Sequence, residues 1–274
     1  MTKSFSADHA RGLLYQTYGP WALVTGASSG IGRAFARQLA AAGLNLVITA
    51  RRKERLERLA TELHRKHAVV VEPLALDLSD PEFLPIVAAA CEGKNIGLVI
   101  SNAGFGLKGL HYELPQETLD QMLNVNCRAP MKLAHYFLPR LLQRGRGGLV
   151  ITASVEAFFG LPGSAAYSAS KAFAKALGEA LYGETLHSGV NTLVLCPGLT
   201  DTEAPALQGY NTAEMSGVKM PEEVAAEALE ALGKRPVLIS AAAKYRYMIR
   251  LLSQLPRRLT LALAAKAVGR EQKK

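Results

Sequence analysis

The chain has 274 residues, with 32 Lys and Arg against 23 Asp and Glu, for a net charge of +9. At 49% hydrophobic and 20% charged residues, it carries enough apolar side chain for a large core without staples, which excludes wholesale disorder. Cys91, Cys127 and Cys196 are odd in number and far apart, which speaks against a disulfide framework or a metal site and for a reducing, cytoplasmic compartment.

The segment Met1–Tyr18 has no sustained apolar run, so no signal peptide is read there. Strand-like apolar runs then alternate with helix-period segments. Ala22–Thr25 reads as a strand ending at a Gly-rich turn, and Arg33–Ala42 as a helix closed by Gly43. Leu44–Ala50 is a second strand. Lys53–Lys66 is an amphipathic helix with Leu56, Leu59 and Leu63 on one face. A strand is expected at Val69–Leu76, a helix around Pro85–Cys91 and a strand at Gly97–Ser101. Thr118–Arg144 reads as one long helical stretch kinked or broken at Pro130 and Pro139. Gly148–Ala153 is a strand, Ala165–Leu186 a helix, Asn191–Cys196 a strand, Pro221–Leu232 a helix with Pro in its first turn, and Val237–Ser240 a seventh strand. Strands apolar on both faces with helices between them give an α/β fold, a single doubly wound parallel seven-stranded sheet. The expected organisation is one domain, 1–243, and a basic helical extension, 244–274. No run is long and apolar enough for a transmembrane helix.

The first strand–helix junction is Thr25-Gly26-Ala27-Ser28-Ser29-Gly30-Ile31-Gly32. Glycines allow close backbone approach, and the helix N-terminus offers N–H groups and partial positive charge to a pyrophosphate. Ser28 and Ser29 add hydroxyl donors. The plainer alternative is a tight turn. After the second strand, where many dinucleotide folds place an acid on the ribose hydroxyls, the chain has Arg51-Arg52. Two guanidiniums suit a 2′-phosphate and favour NADP(H) over NAD(H); a solvated basic helix start is the bland alternative.

Tyr167 and Lys171 stand at i and i+4 on one helix, and Ser154 ends the fifth strand, at the carboxyl edge where such sheets bind ligands. A positive charge about 4 Å from the phenol, at an effective dielectric of about 20, lowers its pKa by about three units before desolvation opposes it. Y-x-x-x-K alone is common on helix surfaces; its conjunction with the loop and Ser154 points to acid–base chemistry.

From roughly Trp21 to Ser240 the chain resembles the short-chain dehydrogenase/reductase family. The resemblance rests on T-G-x-x-x-G-x-G at Thr25–Gly32, Asp77-Leu78, Ser101-Asn102-Ala103-Gly104, Asn126, Ser154, Tyr167, Lys171 and Pro197-Gly198. It implies a Rossmann-like fold and a reversible carbonyl reductase. In that family's pattern Tyr167 exchanges a proton with the substrate oxygen, Lys171 lowers its pKa and holds the nicotinamide ribose, Ser154 orients the carbonyl, and Asn126 holds a relay water. Gly26, Ser28, Ser29, Gly30, Ile31 and Gly32 would take the diphosphate. Asp77 and Leu78 would meet the adenine, and Asn102, Ala103 and Gly104 the adenosine ribose. Pro197, Gly198, Thr200 and Thr202 would meet the nicotinamide and pyrophosphate. Ser101, where the family usually has Asn, is expected to weaken a structural hydrogen bond. The family also implies a homodimer or homotetramer and a small-molecule substrate. No Cys/His spacing suits a metal, and no stacking or recognition-helix motif supports nucleic-acid binding by the basic tail. Asp77 as a helix cap and Asn126 as a backbone-satisfying residue stand as alternatives. Lone His111, His135 and His187 are read as structural.

Phe105, Leu107, Phe158, Phe159, Leu161 and Glu203–Met220 are candidates for an apolar substrate pocket, with core packing the alternative. Lys244–Lys274 has nine basic residues and one acid, Glu271, leaving +8 on the tail and +1 on the body. Tyr245, Met248, Ile249, Leu252 and Leu255 recur at helical spacing opposite Arg246 and Arg250. After Pro256, Arg257-Arg258 opens a second stretch with Leu259 and Leu263. Packing on the domain or on a second subunit is favoured; peripheral membrane contact is the alternative. A cofactor-binding interaction protein with little turnover is the rival function.

Overall fold

The computed structural model describes residues 12–207, 212 and 215–271. A helix α1 over 12–18 leads into β1 (Trp21–Thr25), followed by α2 (Gly30–Ala41), β2 (Asn45–Ala50), α3 (Lys53–His67), β3 (Val71–Ala75), α4 (Phe83–Cys91) and β4 (Ile96–Ser101). Then come α5 (Gln116–Leu123), a π-helical turn (Asn124–Arg128), α6 (Ala129–Arg144), β5 (Gly147–Thr152), a 3₁₀ turn (Val155–Phe158), α7 (Ala165–Thr185) and β6 (Val190–Pro197). The short α8 (Glu203–Leu207), α9 (Pro221–Ala231), β7 (Val237–Ser240), α10 (Ala243–Gln254) and α11 (Arg257–Glu271) complete the chain.

The seven strands form one parallel sheet in the order β3-β2-β1-β4-β5-β6-β7. Because side chains alternate along a strand, β1 sends Ala22 and Val24 to one face and Leu23 to the other. Each face is covered by helices. Phe35, Leu39, Leu56 and Leu63 pack with Val224 and Ala228 on one side. Phe83, Val87, Leu133, Phe137 and Leu141 pack on the other. β4 and β5 are buried throughout, which is why they read as continuous apolar runs. The strand order reverses between β1 and β4, so the helices that follow these strands diverge to opposite faces and open a crevice at their carboxyl ends.

Two expectations need correction. The strand expected at Val69–Leu76 is shorter, because the Val70 N–H is taken by the Asn45 side chain at 2.8 Å before the ladder with β2 begins. The stretch Thr118–Arg144 is interrupted by the π turn Asn124–Arg128 rather than by either proline. Pro130 lies in the first turn of α6, where no N–H is needed, and Pro139 is accommodated inside it. Helices α1 and α8 were not anticipated. In the segment Glu203–Met220, residues 208–211 and 213–214 lie outside the described residues, as do Lys273, Lys274 and the side chains of Arg250 and Arg270. Among the described residues no helix is long and apolar enough to cross a membrane.

Candidate active site

The β1–α2 loop is built by glycine. Gly26 and Ala27 both donate backbone N–H to the Thr49 carbonyl, at 2.8 and 3.2 Å, closing the turn. Gly26 and Gly30 take φ of +70° and +51°, where a side chain strains. A Cβ on Gly32 would lie 2.3 Å from the Gly26 carbonyl oxygen. Helix α2 starts at Gly30 with no side-chain cap, so its first N–H groups and dipole are available to an anion.

Arg52 reaches back over this loop. Its guanidinium donates to Ser28 Oγ at 3.1 Å and Ser29 Oγ at 2.8 Å, and pairs with Glu203 at 2.6 Å. Arg55 shares Glu203, and these two guanidiniums hold the Glu203 carboxyl below its ordinary range. Arg51 is exposed beside them on the cavity wall. The sequence reading placed Glu203 in the substrate segment and missed its pairing with Arg52, since nothing links the two across 151 positions.

Thr25 ties the sheet at the crevice. Its hydroxyl accepts from the N–H groups of Asn102 and Ala103 at 2.9 and 3.0 Å. The Asn102 amide donates to the Thr25 carbonyl at 3.2 Å and its oxygen accepts from Thr152 Oγ1 at 3.4 Å. Asn102 therefore links the ends of β1, β4 and β5. Asp77 accepts the Ser79 N–H at 2.9 Å, a local turn, while lying on the cavity wall.

At the end of β5, buried Ser154 caps the 3₁₀ turn by accepting the Glu156 N–H at 3.2 Å, and it shares the cavity wall with Tyr167. Lys171 is buried, donates to the Thr152 carbonyl at 3.0 Å, and sits 5.8 Å from the centre of the Tyr167 ring. Burial and then the nearby Glu156 carboxylate push the Tyr167 phenol up, with the Ser154 hydroxyl acting against them. Desolvation thus outweighs the attraction expected from Lys171 in this state. The same burial brings the Lys171 ammonium down to about 8. Asn126, within the π turn, uses its amide on neighbours: Oδ1 accepts the Phe105 N–H at 3.1 Å, and Nδ2 donates to the Phe105 carbonyl at 2.9 Å and Ser170 Oγ at 3.0 Å. It supports the wall behind Lys171 rather than lining the cavity. The three thiols are not nucleophiles: burial pushes Cys91 up to about 11, Cys196 up to about 12, and Cys127 upward as well. His111, His135 and His187 are exposed. Among the described residues no cluster could hold a metal ion.

A stability consequence follows from Lys171. Its ordinary value is 10.5 and the folded value about 8, so the unfolded chain binds more protons between these limits and stability rises with pH across that window. Below about pH 8 the buried charge is a cost of about 3 kcal/mol, partly offset by the Thr152 hydrogen bond. Lys171→Met should therefore stabilise the protein at pH 7 by about 2 kcal/mol, and the gain should shrink toward pH 10. Urea unfolding at both pH values checks this; a destabilised variant at pH 7 contradicts it.

These groups surround one cavity of about 1150 Å³. Gly26, Ser28, Ser29, Gly30, Ile31, Arg51, Arg52, Asp77 and Leu78 line one end. Asn102, Ala103, Gly104, Pro197, Gly198, Thr200 and Thr202 line the middle, together with Ser154, Tyr167 and Lys171. Gly32 and Asn126 stand just behind the wall. Beyond Tyr167 the lining turns apolar with Phe105, Phe159, Leu161, Leu199 and Met215. Tyr245, Met248, Ile249 and Leu252 of α10 and Leu263 and Ala264 of α11 close it. Leu107 and Phe158, expected here, do not line it. Phe158 packs into the core with Lys175 5.1 Å from its ring centre, and its carbonyl accepts from Arg257. The tail's wall role, and the pair Lys108–Glu156 at 2.9 Å, were missed; a charged Glu inside the apolar run Val155–Phe159 was the one available signal.

A doubly wound sheet with a glycine loop at its switch point and Ser, Tyr and Lys at its carboxyl edge defines the class of nicotinamide-dependent oxidoreductases. The short chain dehydrogenase model matches residues 20–211, and the chain belongs to that family, whose members use NAD(P) to interconvert alcohols and carbonyls. The 7beta-hydroxysteroid dehydrogenase of Collinsella aerofaciens is 32% identical over 231 residues, 83% of this chain and 88% of that protein. A solved 7beta-hydroxysteroid dehydrogenase superposes with a TM-score of 0.84 at 29% identity, covering 92% of this chain and 98% of the other. A short-chain dehydrogenase from Sphingobium yanoikuyae in complex with NADPH superposes with a TM-score of 0.76 at 32% identity, covering 87% and 96%.

Proposed function

We propose that the protein is an NADPH-dependent reductase of a lipophilic ketone or aldehyde, reversible as an alcohol dehydrogenase, with Tyr167 as general acid and base. The observation that carries this reading is Ser154, Tyr167 and buried Lys171 sharing one cavity wall, at the junction of a polar diphosphate cradle and an apolar chamber. The cradle fits a dinucleotide: it has an uncapped helix N-terminus, two hydroxyls, and a glycine position that any Cβ would fill. A bound nicotinamide supplies the hydride. Ser154 hydrogen-bonds the carbonyl oxygen and orients it, and Tyr167 gives that oxygen its proton. The raised Tyr167 pKa keeps the phenol protonated and ready to donate. Lys171 stabilises the phenolate left behind, and Asn126 holds the Gly104–Phe105 backbone beside it. Steady NADPH oxidation with lipophilic ketones, in a panel running from small polar to steroidal carbonyls, tests this reading. Demonstrated NADPH binding with no turnover across the panel overturns it in favour of the binding-protein reading.

The preference for NADPH rests on Arg51 and Arg52 where a ribose-binding acid would stand, and it agrees with the NADPH-bound relative. Arg51→Asp places a carboxylate against the 2′-phosphate and should move the NADPH/NADH ratio of kcat/KM toward NADH by about tenfold or more. An unchanged ratio contradicts the assignment. The apolar chamber and the hydroxysteroid-dehydrogenase relatives support a bulky ring substrate. For the tail, the residues of α10 and α11 on the chamber wall support packing on the protein over membrane contact. A homodimer or homotetramer in the cytoplasm completes the reading, the latter in keeping with three free thiols.

A further inference from the structure

Beside Tyr167 lies a largely shielded polar cluster that the chemistry above does not use. Glu156, two residues after Ser154, receives Lys108 Nζ on Oε1 at 2.9 Å, and Ser164 Oγ at 2.6 Å and Ser168 Oγ at 3.1 Å on Oε2. Lys108 also donates to Ser164 Oγ at 3.0 Å. The contacts join three separate stretches: the loop after β4, the turn after β5 and the start of α7. Ser164 and Ser168 flank Tyr167 in sequence, so the carboxylate fixes the Ser154 turn against the helix turn that carries the phenol. Both partners of the ion pair are largely shielded, with 22% and 15% of the side chains exposed, so solvent screens this charge less than a surface one.

We propose that Glu156, clamped by Lys108, Ser164 and Ser168, is a positioning residue that sets the Ser154–Tyr167 geometry and holds a fixed negative charge beside the phenol, tuning the pH at which Tyr167 works. The inference deepens the proposed function and rests on Tyr167 being its acid. Around the phenol stand Ser154 and Glu156 from the β5 turn, Lys171 from its own helix, Lys108 behind Glu156, and Tyr245 across the chamber. The Cys127 and Cys196 thiols near Lys171 are neutral. Arg51, Arg52, Asp77 and Glu203 belong to the dinucleotide end. Glu156 therefore opposes Lys171: one charge favours the phenol, the other the phenolate. Glu156 does in fact add to burial in keeping Tyr167 protonated. Lys108 moderates Glu156, so removing either partner should move Tyr167 in opposite directions.

The test compares Glu156→Gln and Lys108→Met with wild type. The first readout is the pH profile of kcat/KM for NADP⁺-dependent oxidation of a hydroxysteroid and of cyclohexanol. The second is an NMR titration of ¹³C-tyrosine-labelled protein, with Tyr167→Phe as the blank. Oxidation needs Tyr167 as a base, so Glu156→Gln should shift the rising limb to lower pH, and Lys108→Met to higher pH, each by about one unit. A role confined to packing would lower kcat in both variants without opposed shifts, and that result overturns the proposal. If Glu156→Gln does not fold, Lys108→Met decides alone: a rise sustains the proposal and no rise ends it. Should wild-type protein oxidise neither probe, the carbonyl panel above decides the proposed function, and the tyrosine titration alone decides the role of Glu156: opposed shifts sustain it and their absence overturns it.

Discussion

Replacing Tyr167 by Phe should lower kcat for ketone reduction about a thousandfold or more while NADPH affinity stays within about twofold. The substitution removes one oxygen and keeps the ring. Packing of the first turns of α7 survives, and so does the network of Glu156 with Ser164 and Ser168, which does not involve the phenol. What disappears is the phenol proton that Tyr167 holds on the cavity wall it shares with Ser154 and Lys171. Water cannot take its place easily, because the chamber beyond is lined by Phe105, Phe159, Leu161 and the α10 side chains. Steady-state rates with a fluorescence titration of NADPH separate the two quantities. Activity within tenfold of wild type would mean that another group donates the proton.

The second large effect belongs to Gly32. In a helix Ala is normally favoured over Gly by about 1 kcal/mol, yet at this position the added Cβ would lie 2.3 Å from the Gly26 carbonyl oxygen and 2.7 Å from Asn102 Nδ2. Neither can retreat: Gly26 is pinned to Thr49, and Asn102 to Thr25 and Thr152. Gly32→Ala should therefore cost about 2–4 kcal/mol of stability, by overpacking against backbone. It should also weaken NADPH binding about a hundredfold by pushing the loop off the diphosphate. Gly183, in α7 with nothing within 4 Å of its added Cβ, is the control. There Ala should be neutral or mildly stabilising, leaving NADPH binding unchanged. Calorimetric unfolding and binding titrations read both, and a Gly32→Ala protein that binds normally would refute the close-approach argument.

What could be read from the sequence was governed by the range of the forces involved. β4 and β5 announce themselves because both faces are buried, so no polar residue interrupts them. β3, at the sheet edge, is half exposed, and the apolar pair Val69-Val70 before it was mistaken for its start. The π turn at Asn124–Arg128 left no mark, since it reroutes backbone hydrogen bonds without changing the apolar spacing around it. The glycine loop and the Ser154, Tyr167 and Lys171 positions could be found because fixed spacings along the chain encode them. Pairs closed across the fold, Arg52 with Glu203 and Lys108 with Glu156, have no spacing to betray them. Phe158 and Phe159 are neighbours that part ways, one to the core and one to the chamber. The apolar face of α10 was visible as a stripe, but a stripe does not say what it faces.

The wall formed by α10 and α11 divides the cavity between two stretches of chain with different obligations. Ser154 and the glycine loop follow the ends of β5 and β1, and Tyr167 and Lys171 stand on α7 packed against the sheet, where any change disturbs several partners at once. The opposite wall comes after the last strand, carried by helices that no strand depends on for its hydrogen-bonding ladder. Mutations at Tyr245, Met248, Ile249 or Leu252 can therefore reshape the chamber without crossing the machinery that moves the proton. Under the proposed function, the α10–α11 wall is where a substitution would change substrate preference while Ser154, Tyr167 and Lys171 keep their contacts.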